Sequence, residues 1–131
     1  MFVSNLNPEQ QQVLLHYAQK IVHADGSVVC HEQDYLKVMK AQFSADTVEA
    51  LESNCKFDLQ KILPGKKSKI SFLVELLGVA YADGNYHNTE KSIIVDLAKE
   101  LNIETVELKC LTSWVQRQHH MLSEVNFFME E

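Results

Sequence analysis

Glycine and proline are scarce in this 131-residue chain, with four and two copies, too few for the many tight turns of a β-sandwich or barrel. Cysteine is also sparse. Cys30, Cys55 and Cys110 are an odd number, lie far apart and form no Cys-x-x-Cys pair, so neither a zinc knuckle nor a thioredoxin-like motif is available. Free thiols fit a reducing compartment. Basic charge is in deficit: 12 Lys and Arg against 18 Asp and Glu give a net charge of -6, which argues against nucleic acid as a partner. Met1-Phe2-Val3-Ser4-Asn5 lacks the basic start and apolar run of a signal peptide. The most apolar stretch, Ile70 to Ala82, contains Glu75 and is shorter than the roughly 20 residues of a membrane span. The expected setting is cytoplasmic. Catalytic signatures are missing too: there is no Gly-x-Ser-x-Gly elbow and no His-Glu-x-x-His helix. Pro64-Gly65-Lys66-Lys67-Ser68 looks superficially like a P-loop, but Gln60 stands where the earlier glycine belongs.

What the chain does have is helical periodicity, nearly throughout. Asn7-Pro8-Glu9-Gln10 combines a capping Asn, Pro at the first helical position and Gln three residues after the cap. Leu14, Tyr17, Ala18 and Ile21 follow at helical spacing, and Gly26 is placed to end that helix. A second helix is expected from near Cys30, burying Tyr35, Leu36, Met39 and Phe43. Ser44 is expected to cap a short third helix carrying Val48 and Leu51. Phe57, Leu59, Ile62 and Leu63 predict a further turn or two, stopped by Pro64-Gly65. Ile70, Leu73, Val74, Leu77, Ala80 and Tyr81 make the next helix, and Ile93, Ile94, Leu97, Ala98 and Leu101 another. Asn102 suits a cap or turn before a last helix lined by Leu108, Leu111, Val115 and Leu122. These patterns predict one all-α domain over residues 1–131, with six to seven helices and no sheet.

The chain also repeats itself. Ile21-Val22-His23-Ala24-Asp25-Gly26 matches Val79-Ala80-Tyr81-Ala82-Asp83-Gly84, 58 residues later. The same offset pairs Glu32 with Glu90, Leu36 with Ile94, Met39 with Leu97, Phe43 with Leu101 and Ser44 with Asn102. Two repeats of about 8–54 and 66–115 follow, each an apolar helix, Ala-Asp-Gly, a short connection, Glu and a second apolar helix.

Ala-Asp-Gly with Glu seven residues after the Asp, twice in one chain, resembles the signature of the TerB-like (tellurite resistance) family, over about Val13 to Val115. The resemblance implies an all-α fold of two helical repeats about a pseudo-twofold axis. It also implies divalent-cation binding by the acidic motif residues Asp25, Glu32, Asp83 and Glu90, and a place in tellurite resistance or stress response. Family members often start the second helix with a Ser-Pro-Glu-like sequence, where this chain has Val29-Cys30-His31 and His87-Asn88-Thr89.

Each motif residue has two physical readings. Asp-Gly is a good turn dipeptide, and each Glu lies three residues after a helix-cap position (Val29 and His87), where it can reach back to an orphan N–H. Alternatively, the four carboxylates converge. Carboxylates about 6 Å apart repel by roughly 1–3 kcal/mol, which a cation offsets. Oxygen ligands suit Ca²⁺, Mg²⁺ or Mn²⁺, while His31 and His87, as neighbours of the site, would move the preference towards a transition metal. Three classes follow: a cation-responsive interaction module with a protein partner, a metal-independent helical interaction module, and, least supported, a metal-dependent hydrolase. Lys56, Lys61, Lys66, Lys67 and Lys69 cluster in the segment between the repeats. They read as a solvated linker or as a patch for peripheral contact with a membrane, a membrane protein or an acidic partner. His16 and His23 share a face of the first helix, Trp114 is expected in the core, and His119-His120 on the surface.

Overall fold

A computed structural model describes residues 2–24, 30–43, 58–82 and 88–130, with backbone only at 30–32 and 35. All regular structure in the described residues is helical. A 3-10 turn at Val3–Asn5 precedes α1 (Pro8–Val22), α2 (Cys30–Ala41), the single turn α3 (Leu59–Ile62), α4 (Lys66–Ala80), α5 (Asn88–Glu100) and α6 (Thr105–Met129). The expected Ser44 helix, Phe57 and Gly26 lie outside the described residues.

Local sequence explains most of the boundaries. The Asn7 side chain accepts the Gln10 N–H at 2.8 Å, and Gln10 Oε1 accepts the Asn7 N–H at 2.9 Å, so the start of α1 is a reciprocal capping box behind Pro8. Asn7→Ala is expected to cost about 1 kcal/mol, measurable as a lowered midpoint in urea with an unchanged slope. Asp58 caps α3, and Pro64-Gly65 separates it from α4. Asn102 ends α5 rather than starting α6. Its φ is 59°, its N–H donates to the Lys99 carbonyl at 3.1 Å, and the Ile103 N–H donates to the Ala98 carbonyl at 2.9 Å. That is a Schellman stop, which Asn tolerates because it enters the left-handed region more readily than other side chains do.

α4 is the centre of the molecule. It packs against α1, α2, α5, α6 and the 3-10 turn, with its most extensive contact to α1. Phe72, Leu73, Leu76, Leu77, Val79 and Ala80 are all fully buried, so the helix has no wet face in its middle, as its near-continuous apolar sequence requires. The core continues through Leu14, Ala18 and Ile21 of α1, Leu36 and Met39 of α2, Ile94 and Leu97 of α5, and Leu108 and Val115 of α6.

Polar side chains tie the periphery to this core. Gln11 donates to the Val3 and Leu6 carbonyls at 3.3 and 3.1 Å, holding the 3-10 turn on α1. Gln10 donates to the Ile62 carbonyl at 2.9 Å. Glu75, buried within α4, accepts the Phe2 N–H at 2.6 Å. α6 departs from expectation at its far end, where Leu122 is exposed: the periodic stripe outruns the body it packs on.

Candidate functional site

The two halves have matching helix ends. Pro8 and Lys66, Val22 and Ala80, and Cys30 and Asn88 bound corresponding helices 58 residues apart. α1 and α4 also terminate in the same way. The C-cap residues His23 and Tyr81 have φ, ψ of -97°, 5° and -97°, 7°, and each cap N–H donates to two carbonyls of its own last turn. Both helices lead through an alanine, Ala24 or Ala82, towards the Asp of the motif.

Glu32 and Glu90 are therefore each the third residue of their helix, α2 or α5. Glu90 is only 2% exposed. Burying a carboxylate in a protein interior is costly unless hydrogen bonds, a counter-charge or a proton offset the lost hydration. Glu32 and His31 are placed on α2 by their backbone, while Asp25, Asp83 and His87 lie outside the described residues. Among the described residues, no three His, Cys, Asp or Glu side chains are grouped so as to hold a metal ion. Of the four carboxylates, the structure thus places the side chain of Glu90 alone.

A cavity of about 820 Å³ lies between the second half of α1 and the start of α5, and Glu90 is not among the residues that line it. His16, Gln19, Lys20, His23 and Ala24 line it from α1, and Thr89, Ser92 and Ile93 from α5. Positions 16, 19, 20 and 23 recur at helical spacing, so the shared face of His16 and His23 is one wall of this space. His16 is buried, with its ring 5.0 Å edge-on to Tyr17, and Lys20 Nζ is 5.9 Å from the centre of the same ring. Burial raises the Tyr17 pKa, and the Glu100 carboxylate adds to the rise; the face of the Tyr17 ring attracts the Lys20 ammonium through its quadrupole. The cavity-facing role of Gln19 and Lys20 was not foreseen, since nothing in their spacing tells a cavity wall from a solvated face.

The remaining candidates resolve into surface features. Lys61, Lys66 and Lys67 are exposed. Lys66 pairs with Glu107 at 3.2 Å, and Lys69 donates to Gln60 Oε1 at 3.3 Å; Lys56 lies outside the described residues. Trp114 is not a core residue. It is 37% exposed and leans on Phe2, with ring centres 6.0 Å apart, at the edge of an apolar groove that includes Ile70, Val74 and Leu111. Of His119 and His120, both expected on the surface, His120 is exposed and His119 is half-buried, and Cys110 is a free, exposed thiol. No helix of the described residues is long and apolar enough to cross a membrane. No family model, curated protein or solved structure matches the chain.

Proposed function

We propose that the chain is a TerB-like, cation-responsive interaction module of the cytoplasm, binding rather than catalytic, whose two Ala-Asp-Gly...Glu units form one acidic site. The observation that carries the reading is the buried Glu90 at the third position of α5, in a helix whose start and partner helix recur 58 residues apart. The packing supports the same duplication. α1 meets α2 and α5, and α4 meets α5 and α2, the pattern that exchanging the two halves about an axis between α1 and α4 leaves unchanged. Under that pairing, the turn leaving α1 faces the start of α5, where the cavity beside Ala24 and Thr89 lies. Asp25 and Glu90 then come from different repeats to one end of the acidic patch, and Asp83 and Glu32 to its other end. A cation bound there links the two halves, and its loss changes the surface offered to a protein partner. Tellurite resistance and stress response are the settings that the resemblance suggests.

Calorimetric titration of Ca²⁺, Mg²⁺, Mn²⁺ and Zn²⁺ into the wild type and into an Asp25→Asn/Asp83→Asn variant tests this. Saturable heat from at least one ion, weakened tenfold or more in the variant, is the expected result. No heat from any ion in the wild type would overturn it. A metal-independent module is favoured by one observation: Glu90 occupies the capping-box position. On that reading the double variant loses stability and no ion has an effect in either protein.

A further inference from the structure

Past Leu122, which still borders a cavity with Val38, Met39 and Gln42 of α2, the last two turns of α6 stand clear of the described body. Every residue from His120 to Glu130 is exposed, and the exposed set includes Met121, Leu122, Val125, Phe127, Phe128 and Met129, with Phe128 at 83%. A helical segment of only 11 residues is marginal on its own propensity and needs an apolar face buried to persist.

The apolar positions are ordered. Leu108, Leu111, Val115, Leu122, Val125 and Met129, with the polar Gln118 between the two groups, follow spacings of three and four along α6, which is the seam of a coiled coil with one polar position. The first part of the seam is used inside the domain: Leu108 and Val115 are in the core and Leu111 packs against it. The second part continues the same stripe into solvent, flanked by Met121 and Phe128. Phe128 alone carries about 150–250 Å², and with the exposed parts of Met121, Leu122, Val125 and Met129 the stripe offers roughly 500 Å² per copy. Doubled, that reaches the approximately 1,000 Å² at which a specific interface begins.

We propose that this face pairs with the same face of a second copy of the chain, antiparallel and about a twofold axis crossing α6 between Ser123 and Glu124. This inference is independent of the cation site. In that register Leu122 meets Val125 of the other copy twice, Gln118 meets Met129 twice, and Met121 flanks Phe128. The positions bordering the seam, His119, Met121, Asn126 and Phe128, include no Asp, Glu, Lys or Arg, so no strong like charges oppose the pairing. The charges on the outer side choose the direction. Arg117 lies towards one end and Glu130 towards the other, opposite each other in this register, while Glu124 sits near the axis, with His120 Nε2 in contact with its Oε1 at 3.1 Å. Antiparallel packing brings the basic end of one helix to the acidic end of its partner, whereas parallel packing stacks like on like. The same polarity disfavours an anionic membrane as the occupant, because the outer side carries acid where lipid-binding helices carry Lys and Arg.

Sedimentation velocity of the full chain over a range of concentrations tests the pairing. The wild type is expected to shift from 15.0 kDa towards twice that mass as concentration rises, while Leu122→Glu and Val125→Lys each remain monomeric. Both side chains are already exposed, so melting temperatures measured at monomeric concentrations stay within about a degree or two of wild type. Mixing the two variants restores a one-to-one dimer, since in the antiparallel register Glu at 122 faces Lys at 125. A wild type that is monomeric throughout, a dimer indifferent to Leu122→Glu, or a mixture that fails to associate would each overturn the proposal. So would a monomeric chain that floats with phosphatidylglycerol vesicles through this helix, which would make lipid the occupant.

Discussion

Phe72→Ala is expected to lower the unfolding free energy by about 3–5 kcal/mol, the largest loss of any single truncation among the described residues. Phe72 is fully buried in α4, the helix on which every major packing contact except α1 with α2, α1 with α5 and α5 with α6 converges. Tyr17 of α1 meets it edge-on, with ring centres 6.1 Å apart at 85°, a geometry that adds to burial alone. The truncation therefore loses the transfer free energy of the ring, its edge contact and the dispersion contacts of a cavity that flanking helices can close only in part. Against a total of about 5–15 kcal/mol for an ordinary domain, the loss takes a large share of the stability. Chemical denaturation with far-ultraviolet dichroism should show the midpoint falling sharply at constant slope. Leu122→Ala, a truncation of similar chemistry on the exposed end of α6, is expected to change it by less than about 0.5 kcal/mol at monomeric concentrations. A comparable loss for both would mean that α6 packs along its whole length.

That contrast also shows where sequence patterning succeeds and where it stops. The helical class, the box at Asn7 and Gln10, the start of α2 at Cys30 and the break at Pro64-Gly65 were all legible, because each follows from short-range backbone chemistry. Leu73, Val74, Leu77 and Ala80 were legible as core by their spacing. Phe72, Leu76 and Val79 were not, because a helix buried all round has no single periodic face to betray it. Asn102 was read only as a cap or turn before the last helix, since the same side chain serves a helix start and a left-handed stop. Leu122 was misplaced for a different reason: periodicity reports which side of a helix is apolar, not where the neighbouring body ends. The candidate site was legible as a pair of spaced motifs, and the third-residue position of both Glu side chains followed from the helix starts. Its burial at Glu90 and the cavity walls at Gln19 and Lys20 depend on how α1 meets α5, a long-range contact that no local pattern encodes.

Glu90→Met separates the two readings of the motif by the sign of its effect. A carboxylate placed to help hold a cation costs stability when the cation is absent, so an apolar side chain of similar length should leave the cation-free protein as stable as wild type or more so, by up to about 1–4 kcal/mol. Adding the cation at a hundred times its dissociation constant should stabilise the wild type by about 2.7 kcal/mol. For a chain of this size, that is a rise of roughly 8–14 °C in melting temperature, at about 3–5 °C per kcal/mol. Glu90→Met should show little of this increment, because the ion then binds folded and unfolded chains almost alike. If Glu90 instead serves as the reaching-back residue of a capping box, the predictions reverse: Glu90→Met loses about 1 kcal/mol without any ion, and no ion moves the wild type. Calorimetric melting of both proteins, in chelator and in each of Ca²⁺, Mg²⁺, Mn²⁺ and Zn²⁺, reads both signs together. A variant that melts lower in chelator beside an ion-indifferent wild type would reduce the Ala-Asp-Gly...Glu unit to a turn and a cap. A variant that melts as high or higher, and no longer responds to the ion that raises the wild type, would place Glu90 in the cation site.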